Sequence, residues 1–154
     1  MSNNLGSTTN VPIDQLTTLL RGFGSRSILH QQAIVQSLGI PANDYISIDL
    51  LNELGPLTAG ELANKTGLST GTITALIDRL EKIGYARREK DPNDRRRVII
   101  VPTYDDREEI KQAYQPLDKA MKELAQEYSE KELELINQFL AKAVSVLDDQ
   151  LQTK

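Results

Sequence analysis

The sequence predicts a mainly α-helical fold with one small β-hairpin. Three observations lead there. Residues 58–84 read as two short helices joined by a tight turn. Residues 86–101 read as two strands around a polar, arginine-rich tip. On both sides of this block, apolar residues recur at helical spacing.

Residues 1–12 (MSNNLGSTTNVP) are small and polar and predict a loose N-terminal arm. A first helix is predicted over about 13–38, where Leu16, Leu19, Leu20, Phe23 and Leu29 recur at helical spacing. Gly22 and Gly24 weaken its middle. Gly39 can adopt the left-handed conformation that ends a helix, and Pro41 cannot continue one. A second helix is predicted over 42–54, with Tyr45, Ile48, Leu51 and Leu54 on one face and Gly55-Pro56 as the stop.

The third helix opens on a capping box, with Thr58 and Glu61 each expected to satisfy an orphan backbone donor. Leu62 and Ala63 are expected to face inward, and Gly67 supplies the turn. Ser69 can cap the fourth helix, whose buried stripe is Ile73, Leu76, Ile77 and Leu80, ended by Gly84. The opposite face carries Thr70, Gly71, Thr72, Thr74, Ala75, Asp78 and Arg79. Small side chains there let the backbone approach base edges, and threonine can bond bases or phosphates.

Strands are predicted at Ala86–Lys90 and Arg97–Val101 around Asp91-Pro92-Asn93-Asp94-Arg95-Arg96. Proline, asparagine and aspartate form turns, and the β-branched VIIV run suits a strand packed on helices. Arginine at such a tip matches a narrow, electronegative minor groove. Asp94 either pairs with a neighbouring arginine to shape the wing or simply forms the turn. Charge supports this reading. The chain is net −4, yet residues 79–97 hold eight basic and four acidic side chains (Arg79, Lys82, Arg87, Arg88, Lys90, Arg95, Arg96 and Arg97 against Glu81, Glu89, Asp91 and Asp94). Screening makes the local field, not the net charge, decide an encounter with phosphate.

Beyond residue 103 helices are predicted, with Thr103 and Asp106 as candidate caps. Ile110, Tyr114, Leu117, Met121, Leu124 and Tyr128 follow a heptad stripe. Pro116 within it predicts a kink or break. Ser129 and Glu132 form a second capping box. Leu133, Ile136, Leu140, Ala143 or Val144, Leu147 and Leu151 make the last stripe. Such faces need cover, and a partner subunit, together with the first helix, is preferred over packing on the same domain. The expected organisation is an arm over 1–12, an N-terminal dimerisation helix over 13–41, a winged helix-turn-helix DNA-binding lobe over 42–102 and C-terminal dimerisation helices over 103–154.

A chain of 154 residues buries enough surface to fold without disulfide or metal, and it has no cysteine. No apolar run approaches the roughly 20 residues of a membrane span, and no signal-peptide core opens the chain, so a cytoplasmic, membrane-independent protein is expected. An enzyme is disfavoured: there is no cysteine nucleophile, phosphate-cradling glycine loop or zinc-ligand cluster. Ser25 and Ser27 near His30 are ordinary for a helix surface. No cofactor, metal site or catalytic residue is expected.

The segments GPLTAGELA (55–63), TGLSTGTITALIDRLEKIGY (66–85) and DPNDRRR (91–97), in this order of helices and wing, resemble the MarR family of bacterial winged-helix regulators. The resemblance covers nearly the whole chain from about residue 13, and the DPNDRR wing after DRLEKIGY is its specific part. It implies a homodimer on pseudo-palindromic operator DNA, usually as a repressor, and often a small aromatic or anionic effector bound between the DNA-binding lobe and the dimerisation helices. By position, Ser69, Thr70, Thr72 and Thr74 would face the major groove and Arg95 would enter the minor groove. Arg96, Arg97, Arg87 and Arg88 would lie near phosphates, with Arg79 also on the basic face. Many relatives carry arginine where this chain has Ala75, so more of the affinity would rest on the wing and on DNA shape.

The effector side is less marked. Without cysteine, the thiol-oxidation switch of some relatives is chemically unavailable. One histidine argues against a transition-metal sensor. His30 and Tyr45 fall near the region where relatives bind ligand, or serve packing and the interface. Two other binding classes compete. A winged-helix protein-interaction module would carry an apolar or aromatic wing surface in place of arginines. A non-specific architectural binder would hold any duplex equally.

Overall fold

The computed structural model describes residues 10–103 and 107–152. In chain order the elements are α1 (Val11–Leu38), α2 (Ala42–Leu54), β1 (Leu57–Thr58), α3 (Ala59–Thr66), α4 (Thr70–Ile83), β2 (Ala86–Lys90), β3 (Val98–Pro102), α5 (Glu108–Ala125) and α6 (Glu130–Gln152). The hairpin is the larger part of a three-stranded antiparallel sheet in the order β1-β3-β2. Arg88 pairs with Ile100 across β2 and β3, and Leu57 pairs with Ile100 from the other side. The two-residue β1 was not expected, since a strand that short leaves no alternation to read.

The chain divides into two compact units, residues 1–113 and 114–154, with the boundary inside α5. The first unit holds one core. Ile48 and Leu51 of α2, Leu62 of α3, Ile73, Leu76, Ile77 and Leu80 of α4, Tyr85, Ala86, Ile100 and Ile110 pack together. The predicted stripe of α4 is fully buried, each of its four residues at 0% exposure. Burying such side chains stabilises the lobe by roughly 1.5–3 kcal/mol each before entropy is counted.

Turn chemistry separates the elements. Gly39, Gly67 and Gly84 cap α1, α3 and α4 in the left-handed conformation, with φ of 67°, 72° and 80°. Ser69 caps α4 by accepting from the Thr72 N–H. α1 begins at Val11, two residues before the expected start, because Pro12 suits the first turn of a helix. It then runs unbroken through Gly22 and Gly24.

Two expectations are corrected. The capping box of α3 is only half made. Thr58 accepts from the Glu61 N–H at 3.1 Å, but the Glu61 carboxylate turns away to Arg97. Thr58 also belongs to β1 and pairs with Ile99, which places it in the sheet as well as at the helix start. The box at the start of α6 is complete: Ser129 N–H donates to Glu132 at 2.9 Å and Glu132 N–H donates to Ser129 at 3.2 Å. The second correction is at Pro116: of the expected kink or break, the break does not occur. α5 continues through it from Glu108 to Ala125. Proline forfeits one backbone bond, and the rest of an 18-residue helix tolerates that loss.

The second unit contains the rest of α5 and α6. No described residue of α6 is buried. Its apolar face is wider than the predicted stripe, since Leu135, Phe139 and Val146 are exposed alongside Leu140, Val144, Leu147 and Leu151. The expected cap at Asp106 and most of the expected N-terminal arm lie outside the described residues.

Candidate nucleic-acid interface

With its apolar stripe in the core, α4 exposes Thr70, Gly71, Thr72, Thr74, Ala75, Asp78 and Arg79. The start of this face is narrow. A Cβ added at Gly71 would meet nothing within 4 Å. The polar groups here are not equally available. The Ser69 hydroxyl is committed to its helix, accepting from the Thr72 N–H at 3.2 Å and donating to the Thr72 hydroxyl at 2.8 Å. The Thr74 hydroxyl donates to the Thr70 carbonyl at 2.9 Å, which leaves a lone pair and a methyl outward. Thr70 keeps a free hydroxyl among the described residues.

The hairpin tip is shaped by two aspartates. Asp91 accepts from the Asn93 N–H at 2.9 Å, and Asp94 accepts from the Arg96 N–H at 3.1 Å. The Arg97 N–H donates to the Asp94 carbonyl, and the Asp91 N–H to the Arg97 carbonyl, each at 2.9 Å. Asp94 also lies 3.6 Å from the Arg96 guanidinium. Both expected roles of Asp94, turn former and arginine partner, therefore coexist in one side chain.

The arginines divide by partner. Arg79 makes two hydrogen bonds to Asp44 of α2, at 2.8 and 3.1 Å. Asp44 is 1% exposed while half of the Arg79 side chain reaches solvent. Those bonds, with the nearby negative charge, raise the Arg79 pKa further above its ordinary value. Arg88 meets Asp78 at 2.8 Å and also Glu81, both on α4. Burial opposes its charge, yet its two carboxylate partners prevail and its pKa rises. Arg97 joins Glu61 of α3 and lies 3.9 Å from Asp91. Arg87 pairs with Glu89 on its own strand. Among the described residues Arg95 has no acidic partner, and Arg96, with its side chain 95% exposed, has only the long contact to Asp94. Among the described residues, the arginines of this block without a close carboxylate are thus the two at the hairpin tip.

The sequence reading missed the acidic side of this arrangement. Asp44 lies four residues before Ile48 and seven before Leu51, on the buried face of α2, and that spacing was the available signal. Glu61 carried no signal beyond its capping role. Of the candidate ligand residues, Tyr45 is a core residue at 1% exposure, and His30 is half-buried on α1. Among the described residues no group of three or more His, Cys, Asp or Glu side chains is arranged to hold a metal ion. No helix among them is long and apolar enough to cross a membrane.

Comparison with known proteins agrees with this geometry. The MarR family profile matches residues 42–98, which span α2 to the start of β3. The chain is 53% identical over 134 residues to the uncharacterized HTH-type transcriptional regulator YcgE of Bacillus subtilis, covering 87% of each chain. It is 31% identical over 117 residues to a second B. subtilis HTH-type transcriptional regulator, YsmB, covering 76% of each. Among solved structures, a MepR mutant from a multidrug-resistant S. aureus clinical isolate superposes with a TM-score of 0.69 at 21% identity, over 86% of this chain and 96% of that one. A MarR family protein from Bacillus stearothermophilus superposes with a TM-score of 0.63 at 24% identity, over 88% and 95%. The buried stripe of α4, the arginine-tipped hairpin and these likenesses together establish that the chain belongs to the MarR family of winged helix-turn-helix transcriptional regulators.

Proposed function

We propose that this protein represses transcription in the cytoplasm as a homodimer on a pseudo-palindromic operator. α4 supplies the major-groove surface, through Thr70, Thr72 and Thr74 with Ser69 at its start. The hairpin tip supplies the minor-groove contact through Arg95, with Arg96 and Arg87 toward flanking phosphates. The observation that carries this reading is the unpaired Arg95 beside the almost free Arg96, on a wing whose other arginines are held by carboxylates. Cations without acidic partners suit duplex DNA, where affinity comes largely from neutralised phosphates.

Dimerisation is assigned to residues 13–41 and 103–154. Leu16, Leu19, Phe23 and Leu29 of α1 stand exposed in the single chain, as do Tyr114, Met121 and Leu124 of α5 and Leu140, Leu147 and Leu151 of α6. Open apolar faces on helices at both ends fit a symmetric partner. Release by a small aromatic or anionic effector completes the reading, with half-buried His30 as the candidate contact and Tyr45, at 1% exposure, left to the core. The protein has no catalytic role in this scheme.

The test is selection of duplexes from a random pool, with footprinting of the winners. The expected result is two inverted half-sites about 10 base pairs apart centre to centre, or a multiple of that. Affinity should fall steeply with salt as counterions are released. Equal retention of all duplexes would indicate architectural binding, and no retention in dilute buffer would overturn the reading. Repeating the selection with small aromatic acids tests release.

A further inference from the structure

We propose that Arg97 is a positioning residue of the wing, set by Glu61 of α3, and that it does not neutralise a DNA phosphate. The inference rests on the DNA-binding reading above and deepens it.

Three observations support it. First, Glu61 is diverted from its usual capping task. Its backbone N–H donates to Thr58, yet its carboxylate does not return to the cap and instead takes the Arg97 guanidinium. The box at Ser129 and Glu132 shows what the same pattern does when no cation competes. Second, Arg97 is held at both ends. Its backbone N–H and carbonyl close the turn through Asp94 and Asp91, while its side chain reaches Glu61 and approaches Asp91, which is 14% exposed. Third, Arg97 stands two residues after Arg95, at the junction between tip and β3. A tie between this junction and the first turn of α3 fixes the direction in which the tip leaves the lobe. It therefore fixes the offset between the minor-groove arginine and the α4 surface.

Energetics agree with positioning. Both side chains of the pair are about half exposed, at 48% and 45%, and such pairs add little to folding stability. A phosphate contact would require Arg97 to leave two carboxylates, and Glu61 would then face the DNA with an uncompensated charge. Holding the wing in place lowers the ordering cost on binding, which is where preorganised contacts act.

The experiment measures affinity for the selected operator across a salt series, with melting curves for each variant. Arg97→Ala and Glu61→Gln should each weaken binding by roughly three- to fivefold, with a nearly unchanged melting temperature and an unchanged slope of log affinity against log salt. Arg95→Ala should cost markedly less in an Arg97→Ala background than alone, because the tip is no longer aimed. The inference is overturned if Arg97→Ala lowers the salt slope by about 0.9, the signature of one lost phosphate contact. It is also overturned if Glu61→Gln strengthens binding, or if the Arg95 and Arg97 losses simply add. Wild-type protein indifferent to every duplex would overturn the reading of the site itself. Wild-type binding with any of the three other results overturns this inference alone.

Discussion

Asp44, in the first turn of α2, holds Arg79 near the end of α4 through two hydrogen bonds, and the carboxylate is buried while the guanidinium is half exposed. The asymmetry predicts an asymmetric response to mutation. Arg79→Ala strands a carboxylate in the core, whereas Asp44→Asn leaves an arginine that can turn to solvent. Arg79→Ala should lower the melting temperature by roughly 5–10 °C. Adding Asp44→Asn to it should restore part of the loss. Thermal unfolding followed by circular dichroism checks this, and equal effects from both single variants would contradict it.

Arg95 should dominate the wing's contribution to affinity. It has no acidic partner among the described residues. Arg95→Ala should weaken operator binding by roughly tenfold or more, lower the salt slope by about 0.9, and cost most on sites with A·T-rich flanks. Titration of variant against operators with A·T and G·C flanks is the measurement. Equal losses on both flanks would remove Arg95 from the minor groove.

Gly71 separates stability from function. It is exposed in the first turn of α4 with φ in the ordinary helical range, and an added Cβ finds open space. Alanine there should stabilise the lobe by a few tenths to about 1 kcal/mol, since glycine costs a helix that much. The same Cβ would stand on the surface assigned to the major groove, so operator affinity should fall. Urea unfolding and binding assays on one Gly71→Ala preparation test both halves. Gly84, by contrast, has a φ of 80°, and alanine there should destabilise.

Asp49 supplies a pH signature. Burial, reinforced by Glu53, raises its pKa to about 6. An unfolded aspartate titrates near 4, so between about pH 4 and 6 the folded state binds more protons than the unfolded one. Its contribution to stability is therefore most favourable below about pH 4 and declines as pH rises through 6, above which the ionised carboxylate carries its full penalty. Asp49→Asn should flatten that decline and raise stability at pH 7.5 by on the order of 1 kcal/mol, because solvent screens part of the penalty on this half-buried group. Denaturant melts at pH 5 and 7.5 on both proteins decide it.

What could be read from the chain and what could not follow a physical line. Helix faces, caps and the hairpin were readable because periodicity and turn chemistry are local: the α4 stripe, the Ser69 cap and β2 match the structure residue for residue. The pairings Asp44–Arg79 and Glu61–Arg97 span 35 and 36 residues, and no local rule reaches that far. Hence the eight basic side chains of residues 79–97 looked alike in sequence, while the structure distinguishes tip arginines from arginines held by carboxylates. Pro116 marks the opposite limit, since its local penalty did not end the helix.

The apolar face of α6 offers a test of assembly that leaves the lobe intact. Leu140 and Leu147 lie seven residues apart on one face, with side chains 47% and 64% exposed in the single chain. Little packing within the chain is lost if both become glutamate, so Leu140→Glu with Leu147→Glu should leave the helical signal and the melting of the lobe nearly unchanged. If α6 lies in the dimer interface, two buried charges per subunit will separate the protomers, and sedimentation will report a monomer. Two linked lobes bind two half-sites with an effective concentration that a free lobe lacks, so operator affinity should fall by roughly 10²–10⁴ while affinity for one half-site stays the same. A variant that remains dimeric would remove α6 from the interface and leave α1 and α5 to carry it.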